Sequence, residues 1–143
     1  MTLYSGLAQL PHFNPDLDTD LEPSAVHDFR SQLLSSDAVL ISSPEYAHGV
    51  PGLLKNALDW LVRSGELYEK PVGLINVSPS STRAQASLIE TLSTMGAKLV
   101  PHACIAIALP EGNVDASKIA AAPDLSQTLS SAVTALARAS NHF

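Results

Sequence analysis

Residues 43–52 read Ser-Pro-Glu-Tyr-Ala-His-Gly-Val-Pro-Gly and follow directly on the apolar run Ala38-Val-Leu-Ile-Ser. A continuous apolar run of this kind belongs to a strand buried on both faces, and so to a parallel sheet. Ligands of open α/β sheets bind at the carboxyl ends of the strands, which is where this turn-rich loop begins. Glu45, Tyr46 and His48 are its polar side chains. A second polar loop, Ser78-Pro-Ser-Ser-Thr, follows the second such run, Pro71-Val-Gly-Leu-Ile-Asn-Val. If the two strands are parallel neighbours joined by a right-handed crossover, both loops lie at the same sheet edge. The pattern is that of a binding site with no assigned catalytic residue: Gly-x-Ser-x-Gly, Gly-x-Gly-x-x-Gly, a phosphate loop ending in Gly-Lys-Ser/Thr and His-Glu-x-x-His are all missing from the sequence. Cys104 is the single cysteine. In its apolar setting it reads as a small buried hydrophobe, with no disulfide and no cysteine-based metal site.

The elements that must position these loops can be read from periodicity. Thr2 to Leu10 predicts a short strand running into a turn. Pro11 to Pro23, with three prolines and four acids, predicts a loop. Ser24 is the expected cap of a helix carrying Val26, Phe29, Leu33 and Leu34 at helical spacing. From Pro51 to Arg63 a further helix is expected, with Val50, Leu53, Leu54, Ala57, Leu58, Leu61 and Val62 as its apolar stripe. Lys55, Asp59 and Arg63 make two i,i+4 charge pairs on the other side, and with Asn56 they read as surface or subunit contacts. Trp60 falls off the stripe and is expected to cover a partner subunit. A third helix spans about Arg83 to Met95, with Gly96 as its stop signal. Lys98 to Leu109 predicts a last strand, placed at a sheet edge because Pro101 cannot donate to a ladder. Asp124 to Ala139 closes the chain as a helix. Four alternating β-α pairs make a doubly wound α/β domain.

With 143 residues, 45% apolar and 15% charged, the chain suits one globular domain. Eight scattered basic residues against 14 acidic give a net charge of −6, which argues against nucleic acid as a partner. The sequence has no apolar run of the ~20 residues that span a bilayer and no signal-peptide pattern at its start, so the expectation is a cytoplasmic protein.

The run Ser42-Ser-Pro-Glu-Tyr-Ala-His-Gly-Val-Pro-Gly-Leu-Leu-Lys-Asn-Ala-Leu-Asp-Trp-Leu resembles the signature of the NADPH-dependent FMN reductase family, Pro-Glu-Tyr-Asn followed by Pro-Gly-x-Leu-Lys-Asn-Ala-Ile/Leu-Asp-Trp. Leu10-Pro-His-Phe-Asn-Pro-Asp-Leu and Lys70-Pro-Val-Gly-Leu-Ile-Asn-Val-Ser-Pro extend the resemblance over most of the chain. It implies a flavodoxin-like three-layer α/β sandwich spanning residues 1–143 as a single domain. It also implies that hydride passes from NAD(P)H to N5 of bound FMN and on to a flavin, quinone or azo-type acceptor. Pro44, Glu45, Tyr46, His48 and Gly49 would line the flavin ring, mainly through backbone N–H groups, with Ser78, Ser80 and Ser81 on its other side. The family commonly dimerises near the flavin, so a homodimer is expected. His12, His27, His102 and His142 receive no role.

Two departures from the family pattern stand out. Ala47 replaces the usual Asn. The family's opening strand, Gly-Ser-Leu-Arg loop and helix have no counterpart before Thr2, and in the flavodoxin-like order that strand is the central one, whose loop holds the FMN phosphate. The expectation is therefore a sheet lacking its central strand, closed instead by Thr2 to Leu7 or by a partner's strand, or else a chain unstable alone, and in each case weak or no flavin binding. The alternative function is a flavodoxin-like remnant without flavin that acts as an oligomerising or partner-binding module. A one-electron carrier is a third reading, disfavoured by the Pro-Glu-Tyr signature.

Overall fold

The computed structural model describes residues 1–77, 80, 82–109 and 115–141. Its sheet has three strands, β1 (Val39–Ser42), β2 (Pro71–Asn76) and β3 (Lys98–Ala106), in the order β1-β2-β3. Both pairings are parallel, with Val39 opposite Val72 and Pro71 opposite Lys98. The central strand β2 is buried at every position. β1 is half-buried, because in the described sheet it pairs on one side only. The architecture is flavodoxin-like α/β, with one strand fewer than the four expected among the described residues.

Five helices surround the sheet: α1 (Ser24–Leu34), α2 (Gly52–Asp59), α3 (Arg83–Thr94), α4 (Ala116–Ala121) and α5 (Pro123–Ser140). Val26 and Phe29 of α1, Ala57 and Leu58 of α2, and Leu88 and Leu92 of α3 meet Val72 and Leu74 of β2 in one core cluster. α5 lies along β3 and β2 and buries Ala132 and Leu136. Gly73 faces the tightest packing in the sheet. A Cβ there would come within 2.9 Å of both the Ala103 Cβ and the Leu40 Cδ1 on the flanking strands.

Several expectations need correction. Thr2 to Leu10 forms no strand and does not pair with β1. Leu7–Gln9 makes a 3-10 turn instead, and its three-residue spacing turns Leu7 toward the core and buries Leu10. Within the expected 11–23 loop, Pro15–Leu17 is a second such turn. Ser24 does not cap α1. Pro23 holds that position at φ −56° and ψ 140°, and its carbonyl accepts from the Val26 and His27 N–H groups.

α2 stops at Asp59 rather than Arg63: beyond it the Leu61 and Val62 N–H groups turn to the Leu58 and Asp59 carbonyls, three residues back, and the Trp60 carbonyl accepts from the Arg30 guanidinium. Of the predicted α2 stripe, Ala57, Leu58 and Leu61 are buried, whereas Leu53 and Val62 are 50% and 65% exposed. Trp60, expected at a subunit surface, is fully buried. Its indole N–H donates to the Pro11 carbonyl at 2.9 Å, and Phe13 meets its ring edge-on at 5.1 Å. Asn56 completes this clasp. Its Oδ1 accepts from the Phe13 N–H at 2.8 Å and its amide donates to the Pro11 carbonyl at 3.0 Å. Lys55 pairs with Asp59 as expected, but Arg63 turns to Asp18 at 3.1 Å.

Asp18 also takes the buried Arg30 at 2.8 Å, and Arg30 reaches Glu22 and Glu66 as well. Burial pushes the Asp18 carboxyl up, and the two arginines more than offset it, leaving it below the usual range. Residues 11–23 are thereby tied to α1 and to the end of α2. β3 carries Pro101 at the sheet edge, as its missing N–H requires, and the register with β2 shifts between Val72 and Leu74, opposite that segment. Gly96 ends α3 at φ +76°.

Candidate functional site

β1 and β2 run in parallel, so the 43–49 loop and the start of the 77–82 loop leave the sheet at the same edge. The Ser43 N–H donates to the Ile75 carbonyl at 3.4 Å, which carries the ladder one step past β1. Beyond it the chain closes a tight turn. Tyr46 and Gly49 exchange two backbone hydrogen bonds, 3.1 and 2.9 Å long, across Ala47 and His48. Both central residues are left-handed, Ala47 at φ 49° and His48 at φ 63°. This is the backbone of a turn that favours Asn and Gly, which gives the family's usual Asn at this position a conformational reason. The Ala47 and His48 N–H groups make no hydrogen bond among the described residues.

Glu45 fixes the turn to the rest of the molecule. Its Oε2 accepts from the Ala84 N–H in the first turn of α3 at 2.8 Å, and its Oε1 meets His48 Nδ1 at 3.0 Å. Thr82, at the start of α3, makes no side-chain cap. A carboxylate from a loop 39 residues earlier does that work, where the helix dipole favours negative charge. The Glu45 side chain is only 10% exposed. Its carboxyl is held below the usual range, first by the Ala84 N–H and then by His48.

A shallow cleft runs between these elements, lined by Ser43, Pro44, Glu45, Asn76, Ala84, Gln85 and Leu88. Of the residues singled out from sequence, Pro44 and Glu45 line it. Tyr46 and Gly49 close the turn beside it, with Tyr46 68% exposed. His48 is not among the lining residues; it meets Glu45 of the cleft wall, and its side chain is 67% exposed. Ser80 is exposed at the neighbouring loop. Ser78 and Ser81, like His142, lie outside the described residues. Asn76 and Gln85 were missed. Asn76 is a buried polar residue closing an apolar strand at its carboxyl end, a signal the sequence does carry. Cys104 is half-buried and burial pushes its thiol up, in keeping with an inert side chain.

The sequence model of NADPH-dependent FMN reductase matches residues 2–111, most of the chain and all of this site. The chain belongs to the NADPH-dependent FMN reductase family. Among its curated relatives, the NADH:(hydroxy)cinnamate reductase subunit CrdA of Vibrio ruber is 35% identical over 101 residues, 66% of this chain and 50% of that protein. The NAD(P)H-dependent FMN reductase PA1204 of Pseudomonas aeruginosa is 36% identical over 93 residues, 62% of this chain and 50% of that protein. This family member thus spans about half the length of the curated relatives it matches. Among solved structures it is similar to FerB, a flavoenzyme NAD(P)H:(acceptor) oxidoreductase from Paracoccus denitrificans. The TM-score is 0.66 at 28% identity, covering 92% of this chain and 78% of FerB. An oxidoreductase from Corynebacterium diphtheriae has the same fold, with a TM-score of 0.70 at 20% identity, covering 96% of this chain and 74% of that one.

Proposed function

We propose that this chain provides the ring-side flavin site of an NAD(P)H-dependent oxidoreductase that reduces a flavin, a quinone or an azo-type acceptor. The observation that carries the reading is the 44–49 turn. It stands at the carboxyl end of β1, pinned by Glu45 to α3, with two adjacent backbone N–H groups that make no hydrogen bond among the described residues. Such groups suit the polar edge of a flavin ring, because a turn of successive N–H groups is a fixed donor surface with no side chain to order. The donor set therefore fits the ring of FMN. Once bound, FMN would accept hydride from NAD(P)H at N5 and pass two electrons on.

The chain's own residues do the rest. Pro44 and Glu45 wall the cleft, Ala47 and His48 offer N–H groups, and Tyr46 lies exposed where it can cover an apolar ring face. Ser78, Ser80 and Ser81 are assigned to the opposite side of the ring, on the strength of the family resemblance. The relatives' names, FMN reductase and flavoenzyme NAD(P)H:(acceptor) oxidoreductase, support this chemistry. A cytoplasmic location, where NAD(P)H is available, is part of the proposal.

A homodimer is part of the proposal. Leu53 at the start of α2 and Val62 just beyond its end are exposed apolar side chains, and they take the place that Trp60 had in the sequence reading. The test is FMN-dependent consumption of NADH or NADPH by the purified chain with a quinone as acceptor, alongside direct titration with FMN. Weak but saturable FMN binding with turnover is the expected result, because the ring-side donors are present while no strand stands on the outer side of β1 among the described residues. Titration without binding overturns the assignment and favours a partner-binding module that has lost its flavin.

A further inference from the structure

Glu45, in the wall of the cleft, and His48 make a carboxylate–imidazole pair that the hydride chemistry does not use. The Glu45 carboxylate can only accept, so the 3.0 Å contact places a proton on His48 Nδ1. The carboxylate is itself fixed by the Ala84 N–H, so the imidazole is held from a rigid helix end rather than from a mobile loop. Nε2 has no hydrogen bond among the described residues, and the ring is largely exposed. An imidazole oriented through one nitrogen by a carboxylate and open at the other is the arrangement of an acid–base group, whose open nitrogen donates when the ring is cationic and accepts when it is neutral.

We propose that His48, positioned by Glu45, delivers the second proton of quinone reduction. The proposal rests on the flavin-site reading above. A quinone becomes a hydroquinone by gaining two electrons and two protons. The hydride drawn from NAD(P)H brings both electrons and one proton. The other proton leaves Nε2 of the His48 imidazolium as the N–H bond breaks and an O–H bond forms at the acceptor oxygen. Water then reprotonates the ring. Glu45 is a positioning residue: it sets the ring's orientation.

The test compares two acceptors. A quinone needs protons, whereas ferricyanide takes one electron and none. In His48→Gln, an exposed substitution compatible with folding, the ratio of quinone to ferricyanide turnover should fall about tenfold or more, at the low end of general-acid effects because water competes at an exposed site. A second readout needs no flavin. Nitrogen-15 NMR of the chain alone should show neutral His48 with its proton on Nδ1, and Glu45→Ala should release that preference. An unchanged acceptor ratio in His48→Gln, or a neutral His48 protonated on Nε2 in the wild type, overturns the proposal. If the wild type reduces neither acceptor, the flavin-site reading fails, and the proton role fails with it.

Discussion

Ala47 shows what the turn demands of a single residue. A non-glycine residue in the left-handed region costs roughly 1–2 kcal/mol, and Ala has no polar side chain to offset it. Ala47→Gly should therefore stabilise the fold by about 0.5–1 kcal/mol, with part of the relief cancelled by the freer unfolded chain. Ala47→Asn should act in the same direction. Urea unfolding reads both, and a lowered midpoint in each would show that the turn is unstrained at φ 49°. Glu45 makes a pH-dependent contribution. Its folded-state pKa is depressed, so the stability it adds is present above the unfolded value of about 4.3 and is lost as pH falls through the folded value. Glu45→Gln should be less stable than the wild type at pH 7, with the gap closing as the pH drops below the usual carboxylate range. A gap that stays constant with pH would assign the effect to packing instead. That Glu45 stands in a loop at the carboxyl end of a strand was legible from the sequence. Its service as the cap of α3 was not, because the contact joins that loop to the first turn of a helix 39 residues on, which only the parallel sheet brings together.

The strands and helices next to the site were the most legible elements, since β1, β2 and α3 are continuous apolar or strictly periodic runs. The N-terminal segment was misread because Leu7 and Leu10 suit a strand or a 3-10 turn equally well, and the absence of a strand partner decides for the turn. Trp60 was misread for a related reason. It lies off the α2 stripe, but residues 11–13 fold back over it, and a loop covering a helix leaves no periodic trace. Gly73 looked like an ordinary strand residue, whereas both neighbouring strands close on it. Gly73→Ala should destabilise the protein by about 1–3 kcal/mol through overpacking against Ala103 and Leu40. A change within a few tenths of a kcal/mol in thermal unfolding would mean that the strands can part at that point.

At the scale of the whole molecule, the described sheet leaves the outer edge of β1 without a strand partner, while the central β2 is buried on both faces. The exposed Leu53 and Val62 lie on the α2 side. Light scattering at micromolar concentration should report a dimer burying at least ~1,200 Å² in total. Leu53→Glu should shift it toward monomer, and a wild-type monomer counts against the pairing. The burial of Trp60 also gives this molecule an optical property. It is the chain's single tryptophan, sealed from water and held by Pro11 and Phe13 beside the helix that follows the site loop. Its fluorescence should be blue-shifted in the folded chain and move to the red as residues 11–13 peel away. A flavin settling on the 44–49 turn would quench that emission by energy transfer, so one native side chain can report both the closing of the loop and the arrival of the cofactor.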